Sequence, residues 1–106
     1  MISQEELFSV CNPDPWRKAI LNEDDDKIRA GLKGVFIACE MYTNDVRYYI
    51  GNGNIEGLKH SLMTKDIEMD TLFQELIVTK NPLDEQRLRT QINHGIFIRE
   101  KLLSML

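Results

Sequence analysis

Residues 28–49 read IRAGLKGVFIACEMYTNDVRYY. Apolar residues recur in this stretch at alternating steps of four and three, which is the spacing of one stripe along an α-helix. The stripe consists of Ile28, Leu32, Val35, Cys39, Tyr42, Val46 and Tyr49. Because no proline interrupts it, the sequence predicts one long helix over about residues 23–50, the longest element of the chain.

A second row on the same helix holds small residues. Ala30, Gly34 and Ala38 follow one another at steps of four. Small side chains spaced in this way allow another helix to approach closely. We therefore expect tight packing against this row, and we expect a large side chain at Gly34 to destabilise the fold.

The segment Gly51-Asn52-Gly53-Asn54 predicts a reversal of the chain after the long helix. Gly51 suits the left-handed conformation that ends a helix, and Asn54 suits the N-cap of the next one. A two-stranded alternative stays open, with Val46–Ile50 as one strand and a tight turn at Asn52-Gly53, because these residues have β propensity.

The four-and-three spacing resumes after this turn and predicts a second long helix over about residues 54–80. Its stripe consists of Ile55, Leu58, Leu62, Met69, Leu72 and Leu76. Lys65 fills one place in that stripe, and Thr64-Lys65-Asp66 could introduce a kink or a brief break. We expect the segments 23–50 and 54–80 to form an antiparallel hairpin.

Capping signals mark the remaining helix starts. Ser3 begins a capping box and Asp14 precedes a proline, which predicts two short N-terminal helices. Asn22 can cap the long helix, and Asn81-Pro82 begins a final helix that runs to the end of the chain. The predicted fold class is therefore all-α, a small helical bundle in which residues 1–106 form a single domain.

Composition excludes several classes of protein. The 106 residues carry a net charge of −4 and are 42% hydrophobic, which fits a globular domain and makes nucleic acid an unlikely partner. No apolar run approaches the ~20 residues of a membrane span, and the N-terminus lacks the features of a signal peptide. Cys11 and Cys39 lack CxxC spacing, so we expect reduced, buried thiols and a cytoplasmic location.

Neither an enzyme nor a cofactor or metal site is expected. The acids Asp24–Asp26 lack the frame of a calcium loop and suit a helix start. His60 and His94 have no ligand or base partner at helical spacing. The glycines near residue 51 follow G-x-G-x-x-x-G, which is not the dinucleotide-binding spacing.

The last helix carries more apolar residues than one buried stripe requires. Its stripe holds Leu88, Ile92, Ile96, Arg99, Leu102, Leu103 and Leu106, which leaves Phe97, Ile98 and Met105 over. We expect Phe97, Ile98, Met105 and the stripe residue Arg99 to bind a partner protein, in a homo-oligomer or a hetero-complex. The alternative is that the short helices near Phe8 and Trp16 cover this face.

The main functional prediction is therefore a non-enzymatic protein-interaction module, such as an assembly factor, adaptor or inhibitor. In size and plain composition the chain is similar to small viral or bacterial accessory proteins that occupy a partner. The competing prediction is a small-ligand or nucleic-acid binder that uses Tyr48, Tyr49 and Asn52 within residues 42–57. Tyrosines at helical spacing also suit core packing.

Overall fold

The computed structural model describes residues 3–64 and 66–106, with the backbone alone for residues 66–71. Its helices are α1 (Gln4–Cys11), α2 (Asp14–Asn22), α3 (Asp26–Gly51), α4 (Ile55–Thr64), α5 (Asp66–Val78) and α6 (Pro82–Met105). Of the described residues, 87% are helical and none lies in a strand. The all-α prediction is confirmed, and the strand alternative for Val46–Ile50 is wrong because these residues lie within α3.

Side-chain caps fix most of the helix starts. The Ser3 hydroxyl accepts from the Glu6 amide at 3.2 Å, and the Asn81 side chain accepts from the amide that follows Pro82 at 3.0 Å, as predicted. The cap of α3 differs from the prediction, because Asp25 rather than Asn22 accepts from the first free amides of the helix. Asn22 instead belongs to the end of α2, so α3 begins later than expected.

The turn between α3 and α4 places its left-handed residue at Gly53, with φ +68°, and not at Gly51 as predicted. Gly51 is the last residue of α3. The Asn54 carboxamide accepts from the Gly57 amide at 2.9 Å, which confirms Asn54 as the cap of α4. The reversal therefore forms as expected, but its left-handed glycine lies two residues further along the chain than predicted.

The predicted second long helix is two helices, because α4 ends at Thr64 and α5 begins at Asp66. The predicted hairpin therefore consists of α3 and α4, which run antiparallel; the Ser61 hydroxyl of α4 donates to Asp45 of α3 at 3.0 Å. Helix α5 packs against α6 and α4. The predicted place of Met69 in the stripe lies outside the described side chains.

The most extensive packing in the fold joins α3 and α6, which run parallel. Lys27 and Asp84 form an ion pair at 3.1 Å near the start of both helices. One turn further, Gly31 faces the backbone of α6 so closely that a Cβ atom there would lie 2.8 Å from the Arg87 carbonyl oxygen. At Gly34 an added Cβ atom would lie 2.5 Å from the side chain of Gln91, so the predicted row of small residues does pack closely against α6. The closest approach to the backbone of α6 is at Gly31, outside that row.

The core is built where α1, α4 and α6 meet α3. Its buried members are Leu7, Cys11, Val35, Cys39, Tyr42, Val46, Leu58, Leu62, Ile98 and Leu102. Both cysteines are free thiols and fully buried, as predicted. All four stripe residues that the sequence placed on α3 from Val35 to Val46 belong to this buried cluster.

Candidate partner-binding groove

The structure separates the four residues that the sequence assigned to a contact surface. Ile98 and Arg99 are buried, with 4% and 6% of their surface exposed, and Met105 is half-buried against the core. Phe97 alone is well exposed, at 65%. Ile98 and Arg99 therefore expose too little surface to be the main contact residues.

The short N-terminal helices explain the burial of Ile98. Helix α1 packs against α6, and Phe8, Val10 and Trp16 pack against the core cluster that contains Ile98. The alternative in which these helices cover the second apolar face of α6 is thus correct for Ile98. It does not extend to Phe97, which lies 100° further around the helix axis.

A groove of about 280 Å³ lies beside Phe97, where α1, the start of α2 and α6 meet. We call it the aromatic groove; its lining residues are Ser9, Val10, Trp16, His94, Phe97, Ile98 and Lys101. The ring centroids of Trp16 and His94 are 4.8 Å apart with the planes tilted by 55°. The ammonium group of Lys101 lies 6.0 Å from the centroid of the Phe97 ring. The groove thus combines an apolar floor with an aromatic wall and one cation.

Trp16 is held in this wall from both sides. Its backbone amide donates to the Pro13 carbonyl at 3.1 Å at the start of α2, and its side chain packs against the core cluster that contains Cys39. Burial raises the pKa of the Cys39 thiol to about 12, the neighbouring Cys11 adds to this rise, and the nearby Trp16 side chain opposes it. Cys39 is therefore a neutral thiol at physiological pH.

A second concavity of about 410 Å³ continues along α6. It shares His94 with the aromatic groove and is otherwise lined by Pro82, Glu85, Gln86, Arg89, Thr90 and Asn93. Arg89 is paired with Glu85 at 2.9 Å, so this part has little free charge. Together the two concavities form a strip along α6 from Pro82 to Lys101, roughly 30 Å long at about 1.5 Å per helical residue.

The three residues of the competing ligand-site prediction lie at the end of α3 and in the turn that follows it. Tyr48 is exposed, whereas Tyr49 packs against the core cluster. Their rings meet edge to face with centroids 5.0 Å apart. The Asn52 carboxamide donates to the Tyr48 carbonyl at 2.6 Å and so caps the end of α3. Tyr49 and Asn52 therefore have structural roles at this end of α3, whereas the Tyr48 side chain is exposed beside them.

The acidic run before α3 also has structural roles. Asp25 accepts from the amides of Lys27 and Ile28 at 2.9 and 3.0 Å, and Asp26 pairs with Arg29. Within the described part of the chain, no three His, Cys, Asp or Glu side chains are grouped so that they could hold a metal ion. His60 is exposed on α4.

Sequence reasoning assigned no site role to Trp16 and His94. They are far apart in the chain, and no local pattern links them; the only available signal was an aromatic residue in each of two helices with surplus apolar surface.

Comparison with known proteins returned no match to a family model, a curated protein or a solved structure. None of the helices in residues 3–64 and 66–106 has the length and apolar character needed to cross a membrane.

Proposed function

We propose that this chain is a non-enzymatic protein-interaction module, an assembly factor, adaptor or inhibitor, that binds its partner through the aromatic groove. The observation that carries the proposal is the exposure of Phe97, at 65%, on the rim of a groove whose other wall is formed by the contacting rings of Trp16 and His94. Tryptophan and other aromatic side chains are enriched among the residues that dominate binding energy at protein interfaces.

The size of the aromatic groove favours a protein partner over a small molecule. Its volume of about 280 Å³ lies at the lower end of the roughly 300–1,000 Å³ of typical ligand pockets, and it is open to solvent along α6. A space of this size accepts one or two large apolar side chains. The groove therefore suits an anchor residue of a partner protein.

The walls of the groove are positioned before binding. Ile98 forms part of its floor and belongs to the buried core, and Trp16 packs against that core. Little ordering of these groups is needed when a partner binds, which favours affinity. Covering Phe97 would contribute up to about 1.5–3 kcal/mol from apolar burial, before the entropic cost of association.

Two matched substitutions test the proposal. Phe97→Asp places a charge on the rim of the groove, and Ile37→Asp places the same charge on α3, at a side chain that is 56% exposed. We expect Phe97→Asp to abolish association and Ile37→Asp to leave it unchanged. Light scattering measures self-association, affinity capture from native extract measures hetero-association, and circular dichroism checks that both variants keep their helicity.

A benzophenone amino acid at position 97 adds an independent readout. We expect it to crosslink a protein partner, or a second copy, more efficiently than the same group at position 37. A monomeric wild-type protein that captures and crosslinks no protein at position 97 would contradict the proposal. Equal loss of association in the two aspartate variants would also contradict it, because it would indicate a general effect of surface charge.

A further inference from the structure

Resting on the proposed function, we propose that the groove binds an amphipathic helix of a partner protein. One large apolar side chain of that helix inserts between Trp16 and Phe97, and a carboxylate one turn away pairs with Lys101.

The charge of the groove points to an acidic partner. Of the residues that line it, Lys101 and His94 are the titratable ones, and none is acidic. Lys101 is exposed and has no carboxylate partner among the described residues. The chain as a whole carries a net charge of −4, so the positive charge of the groove contrasts with the net negative charge of the protein. A partner that presents a carboxylate beside a large apolar side chain complements Lys101 and the apolar floor of the groove.

The geometry of α6 points to a helix as the occupant. Phe97 and Lys101 are four residues apart and so lie on one face of α6. A helix lying along that face meets both groups with an apolar residue and an acid at a spacing of three or four. The adjoining concavity offers Gln86, Thr90 and Asn93 to the polar side chains of the same helix.

The same observations disfavour other occupants. A basic helix would place its cation against Lys101, which costs affinity by like-charge repulsion. A nucleic acid needs several cations along its backbone, and Arg89, the other cation on the strip, is already paired with Glu85. An acidic helix is thus the occupant that both the charge and the shape of the strip favour.

Trp16 provides a direct readout, because it is the only tryptophan in the chain and lies in the wall of the groove. A displayed library of helical peptides that lack tryptophan is selected against the full chain, and the selected peptides are titrated by Trp16 emission. We expect them to share a large apolar residue with Asp or Glu three or four positions away. Replacing that acid by Lys should weaken binding about tenfold.

Reciprocal variants locate the carboxylate. Lys101→Glu should weaken binding of the acidic peptide by about tenfold and favour the peptide that carries Lys instead. Lys33→Glu makes the same charge change at an exposed residue of α3 and should leave binding unchanged. A preference that does not reverse with Lys101→Glu would overturn the assignment of Lys101.

The outcomes separate this inference from the proposed function. Peptides that shift Trp16 emission and lose binding in Phe97→Asp, yet show no preference for an acid, overturn the inference and leave the proposed function standing. A library that yields no binder, or only binders insensitive to Phe97→Asp, counts against both. A wild-type dimer that becomes monomeric in Phe97→Asp replaces the partner helix with a second copy of this chain.

Discussion

Replacing Gly31 by alanine is expected to destabilise the protein, although alanine is the better helix former. Helix α6 passes Gly31 so closely that the new Cβ atom would lie 2.8 Å from the Arg87 carbonyl oxygen and 3.0 Å from the Thr90 Cβ atom. Ordinary contacts at such positions are 3.4–4 Å. Since the first obstacle is backbone, α3 and α6 must separate by roughly half an ångström to accept the methyl group.

The size of the effect follows from two opposing terms. Overpacking of this kind costs about 1–3 kcal/mol, whereas Gly to Ala within a helix gains up to about 1 kcal/mol. The expected net loss is thus about 0–2 kcal/mol. Gly51→Ala is the matched control, because Gly51 is also helical and has no atom within 4 Å of an added Cβ. It should be neutral or stabilising by about 0.5 kcal/mol.

Urea unfolding followed by circular dichroism measures the difference. With a slope of about 1–3 kcal/mol per molar urea, the midpoint of Gly31→Ala should lie about 1 M below that of Gly51→Ala. Gly34→Ala should fall between them, since the three atoms nearest to an added Cβ at Gly34 belong to the movable side chain of Gln91. A midpoint for Gly31→Ala at or above that of Gly51→Ala would refute the close approach of α3 and α6.

Three further predictions concern caps, glycines and thiols. Asp25→Ala should lower the free energy of unfolding by about 1 kcal/mol and Asn22→Ala by much less, measured by urea midpoints, because Asp25 caps α3. Gly34→Leu should lower the urea midpoint more than Gly53→Ala, whose cost is limited to left-handed strain of about 1 kcal/mol; the reverse order would show that Gly34 has room for a large side chain. Because burial raises the pKa of Cys39 from 9.0 to about 12, its stabilising contribution is complete below pH 9 and is lost as the pH rises towards 12. Between pH 8 and pH 10.5 the urea midpoint should therefore fall less in Cys39→Ala than in the wild type. An equal fall in both proteins would contradict the raised pKa of Cys39.

Local chemistry predicted the helices well. The stripe from Val35 to Val46 forms the centre of the core, and the caps at Ser3 and Asn81 form as their side chains indicate. The start of α3 was misplaced, because Asn22 and Asp25 can both cap a helix and the sequence does not rank them. The break near Thr64 was signalled by one polar residue in an apolar stripe, which is too weak a sign to fix a helix boundary.

Packing partners could not be derived in the same way. Apolar spacing shows which face of a helix is buried and leaves open which helix covers it. The sequence therefore placed α3 against the segment that follows it, whereas its main partner is the parallel helix α6. The close contact at Gly31 was not predicted, because Gly31 lies outside the row of small residues that contains Gly34. A single glycine is enough to let two helices approach closely.

The origin of the groove joins the fold to the proposed function. Helix α6 is apolar on more than one face near its end, and the helices that cover its second face, α1 and α2, are only 8 and 9 residues long. They reach far enough to bury Ile98 but leave Phe97 exposed one position earlier. A longer cover would bury both residues, and no cover would leave a flat apolar patch. The partial cover instead puts Trp16 opposite Phe97 and creates a walled groove, which can select the shape and charge of what it binds.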